Sequence, residues 1–168
     1  VNVGSGATAI AASANGTRAF VANDGDDTVS MIDTSGATPT VTSINVGSTP
    51  YSVAVSADGT RAFVANYNSS SVSIINTSGA SPTVTDLDLG YTPYAVKTSD
   101  NGAVAIVSGY FGSTVSIIKY NGATATATTL TFPNVSYNPE FIAISDDGTR
   151  ALVTTSDPKH ALGVIDTT

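Results

Sequence analysis

The sequence contains no cysteine and no tryptophan, and it has one histidine among 168 residues. The absence of cysteine excludes disulfides, thiolate metal sites and cysteine nucleophiles. A single histidine, His160, excludes sites in which several imidazoles hold one metal ion. We therefore expect no cofactor.

Charge is also scarce. Charged residues make up 11% of the chain, and its six basic and 13 acidic residues give a net charge of −7. Nucleic-acid binding needs clustered Lys and Arg, so it is not expected. No apolar run approaches the roughly 18 residues of a membrane-spanning helix, so membrane insertion is not expected either. The apolar fraction of 41% is sufficient for a core.

A tetrapeptide, Gly-Thr-Arg-Ala, recurs along the chain. It occupies residues 16–19, 59–62 and 148–151, and a degenerate copy occupies residues 102–105. The first glycines of these copies are 43, 43 and 46 residues apart. Four units of this length fill the chain, so we interpret residues 1–168 as one repeat domain. Its units run approximately over residues 5–46, 47–89, 90–135 and 136–168.

The second unit contains four short strand patterns and no helical periodicity. Its apolar and β-branched segments cover residues 51–56, 61–66, 71–76 and 83–89. The Asp58-Gly59 pair between the first two segments favours a hairpin turn. Four short strands in about 43 residues are typical of a propeller blade. The sequence therefore predicts an all-β propeller of four four-stranded antiparallel blades.

The second unit reads Pro-Tyr-Ser-Val-Ala-Val-Ser-Ala-Asp-Gly-Thr-Arg-Ala-Phe-Val-Ala-Asn, followed by Val-Ser-Ile-Ile-Asn-Thr. This pattern resembles the YVTN β-propeller repeat of bacterial and archaeal surface-layer and secreted proteins. The name motif appears at residues 20–23 and 63–66 and degrades at 106–109 and 152–155. The resemblance implies an extracellular or cell-surface scaffold without shared catalytic residues. Members of that family usually carry more than four blades.

The two ends of the sequence suggest a way of assembling. The last unit stops after its predicted third strand, and the first four residues align with the end of a fourth strand. Val1 and Val3 are therefore candidates to complete the last blade beside Val164 and Ile165, through main-chain hydrogen bonds. Three arrangements remain open: a closed four-bladed ring, an eight-bladed ring of two chains, or a section of a longer propeller or filament. Self-association into a dimer or higher assembly is expected.

Propeller ligands usually lie around the central channel, where the first strands begin. The corresponding positions, one in each unit, are Thr8, Tyr51, Tyr94 and Glu140. The loops on the same side carry Tyr67 and Tyr110. Such an aromatic rim suits a cell-surface glycan or a peptide of a protein partner. The alternative is that the tyrosines cap the packing of the blades, because tyrosine has an apolar body and a polar tip.

Two other groups of polar residues recur or cluster. Asp24, Asp26 and Asp27 form the densest acidic run. Their loop is a candidate calcium site, and the alternative is a solvated hairpin loop. The order of these acids does not match an EF-hand loop. The arginines that recur at one position of the repeat are expected to pair with turn acids such as Asp58 or Asp147. They are Arg18, Arg61 and Arg150.

These observations favour a non-catalytic extracellular scaffold for surface structure, assembly or adhesion. The first alternative is a carbohydrate- or peptide-binding module that uses the aromatic rim. The second alternative is a lactonase-like hydrolase, because some propeller lactonases carry similar repeats. Its candidate cluster would be Glu140, Asp157, Lys97 and His160. We predict that the protein is not an enzyme.

Overall fold

A computed structural model describes residues 1–132, 139–155 and 162–168. These residues form 15 β-strands and no helix. The strands are β1 (Ala7–Ala12), β2 (Arg18–Asn23), β3 (Thr28–Asp33), β4 (Thr40–Asn45), β5 (Pro50–Val55), β6 (Arg61–Asn66), β7 (Ser71–Asn76), β8 (Thr83–Asp88), β9 (Pro93–Thr98), β10 (Val104–Gly109), β11 (Thr114–Tyr120), β12 (Ala125–Thr131), β13 (Pro139–Ile144), β14 (Arg150–Thr155) and β15 (Leu162–Asp166).

The strands form four antiparallel sheets, each a meander in chain order. The first three sheets are β1–β4, β5–β8 and β9–β12, and the fourth consists of β13–β15 within the described residues. We call these sheets the first to fourth blades. The predicted all-β class of consecutive antiparallel blades is thus confirmed, and the fourth blade has three described strands.

A polar turn joins the first two strands of each blade. In the second blade, the Ser56 hydroxyl and the Thr60 N–H both donate to Asp58 Oδ1, at 2.6 and 2.9 Å. Gly59 adopts a φ of +72°, which a residue without Cβ adopts freely. Asp147 makes the same bonds in the fourth blade. Asn15 and Asn101 take this role in the first and third blades.

The blades stack face to face through apolar side chains. Three interfaces result, and branched aliphatic residues from both blades fill each of them, with a fully buried phenylalanine in the first two. Their fully or nearly buried members include Phe20, Val29, Ile44, Val64 and Ile75 in the first interface; Phe63, Val72, Ile74, Val107 and Ile118 in the second; and Ile106, Val115, Ile142, Val153 and Ile165 in the third.

A row of backbone hydrogen bonds connects the turns of successive blades. The Ala14 N–H donates to the Ala57 carbonyl at 2.9 Å, and the Ala57 N–H donates to the Asp100 carbonyl at 2.8 Å. The Asp100 N–H continues the row by donating to the Asp146 carbonyl at 3.0 Å. Every bond points the same way along the chain, so each blade offers a donor to the next blade.

The recurring arginines extend this row, and the expectation that they pair with turn acids is wrong. Arg18 donates to the Gly59 carbonyl at 3.2 Å and to Thr77 Oγ1 at 2.6 Å, both in the following blade. Arg61 likewise donates to the carbonyl of Asn101 at 2.9 Å. The turn acids are already engaged by serine and threonine donors of their own turn.

Arg150 differs from the other two arginines because no further blade follows it in the structure. Its guanidinium instead pairs with Asp166 of its own blade at 2.6 Å. More than half of each side chain is exposed, so this ion pair contributes little to stability.

A buried amide lies beside the segment that leads into the second blade. Asn66 is fully buried, and its Nδ2 donates to Ser71 Oγ at 3.1 Å and Ser73 Oγ at 2.8 Å. The Gly47 N–H also donates to Ser73 Oγ, at 3.1 Å. A Cβ on Gly47 would lie 2.5 Å from Asn66 Nδ2, so only glycine fits there. Asn23 makes the equivalent bonds in the first blade.

The third blade replaces this amide by a tyrosine. Gly109 stands where the second blade has Asn66, and the Tyr91 ring lies over it, 3.0 Å from the position of a Cβ. The Tyr91 hydroxyl donates to Ser116 Oγ at 2.9 Å. Burial raises the pKa of Tyr91 to about 12, so this hydroxyl stays protonated as a donor.

The four blades form an open arc. The inner strands pack in sequence, β1 on β5, β5 on β9 and β9 on β13, and β13 does not pack on β1 in this way. Ile10 of β1 and Phe141 of β13 are 68% and 71% exposed. The closed four-bladed ring, one of the three arrangements expected, is therefore wrong for this chain.

The suggested seam between the chain's own ends is also not formed. Residues 1–4 form no strand, and no strand pairing joins them to β15. Val1 is 77% exposed, and the Gly4 N–H donates to Ser30 Oγ at the entry to the first blade. Val164 is exposed, whereas Ile165 is buried in the third interface, so its side chain is not part of the open edge.

The aspartates of the turns allow a prediction of how the stability of the protein depends on pH. Burial is the largest single influence on Asp58 and raises its pKa, but the hydrogen bonds from Ser56 and Thr60, together with the nearby Arg61 charge, outweigh it and lower that pKa below its ordinary 3.8. Hydrogen bonds from Ser145 and Thr149 likewise lower the pKa of Asp147. A lowered pKa gives stability that is present above the unfolded-state value and lost as pH falls through the folded-state value.

We therefore expect the double variant D58N/D147N and the parent to have closely similar free energies of unfolding at pH 7. Asparagine already fills this position in two blades. Below about pH 4, the variant should lose less stability than the parent. Urea unfolding at pH 7, 4 and 3 measures both effects. An equal loss in the two proteins at pH 3 would contradict the assignment.

The buried amide gives a second prediction. Asn66→Gly should lower the free energy of unfolding by about 1–3 kcal/mol, because Ser71 and Ser73 lose a buried partner. Adding Ser48→Tyr, which reproduces the Tyr91–Gly109 arrangement, should recover part of the loss. Urea denaturation of both variants tests this. A double variant less stable than Asn66→Gly alone would show that the two arrangements are not interchangeable.

Candidate functional site

Four tyrosines from the two middle blades form one continuous patch, which we call the tyrosine patch. The rings of Tyr51 and Tyr94 stack with centroids 5.0 Å apart and planes inclined by 29°. Tyr94 and Tyr110 lie 5.3 Å apart, and Tyr67 and Tyr110 lie 5.2 Å apart in an edge contact. Tyr51 and Tyr67 close the circuit at 6.0 Å. Each ring thus contacts two others.

Irregular strand pairing places the first two of these rings. The pairing of β5 with β6 shifts between Pro50 and Ser52, so Tyr51 is the extra residue of a β-bulge. The same shift between Pro93 and Ala95 leaves Tyr94 as the extra residue of β9. Bulges redirect a side chain and are frequent next to binding sites. Thr8 and Glu140 occupy the corresponding bulges of β1 and β13.

The other two rings follow directly from strand order. Tyr67 and Tyr110 come immediately after β6 and β10, whose ends lie beside the beginnings of β5 and β9. Tyr51 is 39% exposed, and the other three patch residues are half-buried. Phe111, 68% exposed, packs edge-on against Tyr110 at 4.5 Å. The patch is therefore packed by its own members and still open to solvent.

The outer blades do not extend the patch with aromatic rings. The Thr8 hydroxyl donates to the Pro50 carbonyl at 3.0 Å, so it joins the first two blades. The side chain of Glu140 lies outside the described part of the structure, as do residues 156–161 with Asp157 and His160. Lys97 of β9 is exposed. The candidate hydrolase cluster thus contributes only Lys97 to the described side chains.

In the acidic loop of the first blade, two carboxylates accept hydrogen bonds from backbone N–H groups and do not form a cluster of acids. Asp26 Oδ2 accepts the Ser5 N–H at 2.6 Å, and Asp27 Oδ1 accepts the Thr49 N–H at 2.8 Å. Among the residues that the structure describes, no three His, Cys, Asp or Glu side chains are placed to hold a metal ion. Asp24, Asp26 and Asp27 therefore remain only a candidate from sequence.

A cavity of about 390 Å³ lies at the turns between the third and fourth blades. Val104, Gly148 and Thr167 line it. The two preceding interfaces place Arg18 and Arg61 at the equivalent position, and both side chains reach into the following blade. The third blade has Val104 where these arginines stand, and the equivalent space beside Arg18 is smaller, at about 210 Å³. Sequence comparison of the units shows the substitution but not the cavity.

Val104→Arg should reduce the volume of this cavity and donate to the Gly148 and Thr167 carbonyls, as Arg18 donates to those of Gly59 and Thr77. We expect Val104→Arg to raise the free energy of unfolding by about 1 kcal/mol. For a chain of this size, that corresponds to a rise in Tm of roughly 2–4 °C. Val104→Met, which adds volume without donors, separates packing from hydrogen bonding. Thermal unfolding followed by circular dichroism measures both. A lower Tm for Val104→Arg than for Val104→Met would contradict this explanation.

Known proteins resemble the chain in family and in fold. The family model described as the choice-of-anchor I domain matches residues 1–168. No curated protein has a sequence that matches this chain. In the described residues, no helix is long and apolar enough to cross a membrane.

Solved β-propellers share the fold at low sequence identity. Hydrazine synthase from Kuenenia stuttgartiensis has a TM-score of 0.78 at 23% identity, covering 99% of this chain and 48% of that chain. The Cps50 (Swd1) β-propeller domain of Myceliophteria thermophila has a TM-score of 0.79 at 13% identity, with coverages of 99% and 53%. A candidate 6-phosphogluconolactonase from Bacteroides uniformis has a TM-score of 0.70 at 16% identity, with coverages of 95% and 52%. The chain thus spans about half the length of these proteins.

Proposed function

Because this chain belongs to the choice-of-anchor I domain family over its whole length, which indicates a surface-associated propeller, we propose that it is a non-catalytic binding scaffold outside the cell. Its binding element is the tyrosine patch, and its ligand is a neutral carbohydrate. The observation that carries this proposal is the closed circuit of ring contacts among Tyr51, Tyr67, Tyr94 and Tyr110.

The chemistry of the patch favours an uncharged ligand with both apolar and hydroxylated surfaces. Tyrosine offers a large, rigid contact area at low entropic cost, because its side chain has only two rotatable angles. Mutual packing of the four rings restricts them further, so less freedom is lost on binding. The four patch side chains end in phenol groups rather than in carboxylates or amines, and a sugar ring presents C–H faces together with hydroxyls. These properties support adhesion to a surface glycan.

Binding can be followed by tyrosine fluorescence, because the chain contains no tryptophan. A panel of neutral and acidic oligosaccharides should identify neutral ligands that change this emission. Tyr51→Ala should then weaken binding about tenfold, which corresponds to about 1.4 kcal/mol from one lost aromatic contact. Tyr51→Phe keeps the ring and should retain most of the affinity.

A comparison of Tyr51→Ala with Tyr51→Phe separates the contribution of the ring to binding from that of the hydroxyl. Loss of binding in Tyr51→Phe as well as in Tyr51→Ala would show recognition through the hydroxyl rather than through stacking. Absence of binding to every oligosaccharide in the panel, together with binding of peptides that Tyr51→Ala removes, would replace the carbohydrate by a peptide ligand. Equal affinity in Tyr51→Ala and the parent would remove the patch as the site.

A further inference from the structure

The cavity between the third and fourth blades lies at the opposite end of the strands from the tyrosine patch. We call this space the turn cavity. The third blade contributes one wall, which includes Val104 and Lys119, and the fourth blade contributes the other, which includes Asp147, Gly148 and Thr167. The carbohydrate proposal does not use this cavity. Because the blades are repeats, the earlier interfaces show what these walls are shaped to hold.

The first interface contains a guanidinium at the equivalent position. Arg18 Nη1 donates to the Gly59 carbonyl at 3.2 Å, and it lies 3.3 Å from the Thr77 carbonyl and 2.6 Å from Thr77 Oγ1. The Thr77 hydroxyl in turn donates to the Gly59 carbonyl at 3.0 Å. One guanidinium nitrogen thus meets three oxygen acceptors of the following blade.

The fourth blade repeats these acceptors, but the preceding blade has no arginine to meet them. Thr167 stands where the second blade has Thr77, and both residues are 5% exposed. The Thr167 hydroxyl likewise donates to the carbonyl of the turn glycine, Gly148. The third blade carries Val104 in place of Arg18. All three arginines of the chain have other partners, so the acceptors in the turn cavity lack a guanidinium.

These acceptors do not depend on the residues that follow Thr167. In the second blade the chain continues past Thr77 into β8, and the Thr77 oxygens still bind Arg18. A donor stabilises carbonyl and hydroxyl oxygens that are shielded from water. A guanidinium is the donor that the same repeat supplies elsewhere.

Charged residues on the two walls define the rest of the ligand. Asp147 adds a negative charge to the fourth-blade wall. Hydrogen bonds from Ser145 and Thr149 lower its pKa, so the carboxylate is ionised at neutral pH. On the third-blade wall, Lys119 pairs with Val104 across the strands, at the position where the first blade has Asp33. The exposed Lys119 side chain offers an ammonium to an anionic group.

From these two walls we infer that the turn cavity binds a guanidino-carboxylate, that is, an arginine whose carboxylate is free. Its guanidinium donates to the Gly148 carbonyl and to the Thr167 oxygens, as Arg18 does in the first interface. Its carboxylate lies toward Lys119, and its aliphatic stem lies along Val104. Such a ligand is either the free amino acid or the last residue of a peptide chain.

Amide proton–nitrogen correlation spectra of the chain, titrated with N-acetylarginine, test the site. The amides of Val104, Gly148 and Thr149 should shift, whereas those of the tyrosine patch should not. N-acetylcitrulline has the same shape but a neutral urea in place of the guanidinium, so it should bind about tenfold more weakly. Absence of shifts, shifts confined to other parts of the chain, or equal binding of the two compounds would overturn the proposal.

Two substitutions of Val104 test the occupant. Val104→Arg places the chain's own guanidinium at these acceptors and should abolish binding of N-acetylarginine. Val104→Ala leaves the acceptors open and should retain it. Circular dichroism verifies that both variants are folded. Unchanged binding in folded Val104→Arg would show that these acceptors are not the site.

Lys119→Gln tests the carboxylate. It should weaken N-acetylarginine about two- to fivefold, because an exposed ion pair contributes little. It should not weaken N-acetylagmatine, which has a guanidinium but no carboxylate. An equal loss of affinity for the two compounds would contradict the pairing of Lys119 with a carboxylate.

A tripeptide separates the two sources of the ligand. Binding of Gly-Gly-Arg would assign the cavity to a C-terminal arginine of a peptide chain, and its exclusion would assign the cavity to the free amino acid. Equal affinity for the amidated tripeptide would overturn the requirement for a carboxylate. These results do not bear on carbohydrate binding by the tyrosine patch, which the fluorescence assay tests separately.

Discussion

Every blade of this protein is a sheet with two apolar faces, and the whole architecture depends on covering them. A sheet cannot bury both faces by itself, so it must be stacked between two others. The second and third blades achieve this, and both of their faces carry fully buried residues: Phe63 and Ile75 on the second blade, and Ile106 and Val107 on the third. The first and fourth blades each have one covered face, and their exposed residues lie on the other. Stacking thus explains both the core and the two open ends.

Polar groups give this stacking its direction. Apolar burial is not directional, so it does not by itself distinguish the front of a blade from its back. The backbone bonds from Ala14, Ala57 and Asp100, each to the following blade, make that distinction. Arg18 and Arg61 add side-chain donors along the same line. The buried amides and the Tyr91 hydroxyl serve a different purpose, since they attach each incoming segment to its own blade.

The tyrosine patch shows how far sequence reasoning reaches. The repeat placed Tyr51 and Tyr94 at equivalent positions, and the loops contributed Tyr67 and Tyr110, so membership of a common rim was predictable. Their ring-to-ring contacts were not, because these depend on bulges and on the angle between neighbouring blades. The arginines illustrate the opposite case. Nearby acids looked like natural partners, but local hydroxyls already occupied them, and the acceptors lay one repeat further along the chain.

The sequence by itself determined the period, the strands, the polar turns and the all-β class. These features depend on alternation and hydrogen bonding within about 43 residues, and such local patterns are legible in one unit. The tertiary structure decided that the four blades remain an open arc, that Ile165 is buried while Val164 is exposed, and that Val104 leaves a cavity. Those properties arise from contacts between units. Near-identical repeats specify how one blade packs on the next, but not how many blades must follow or what covers the last one.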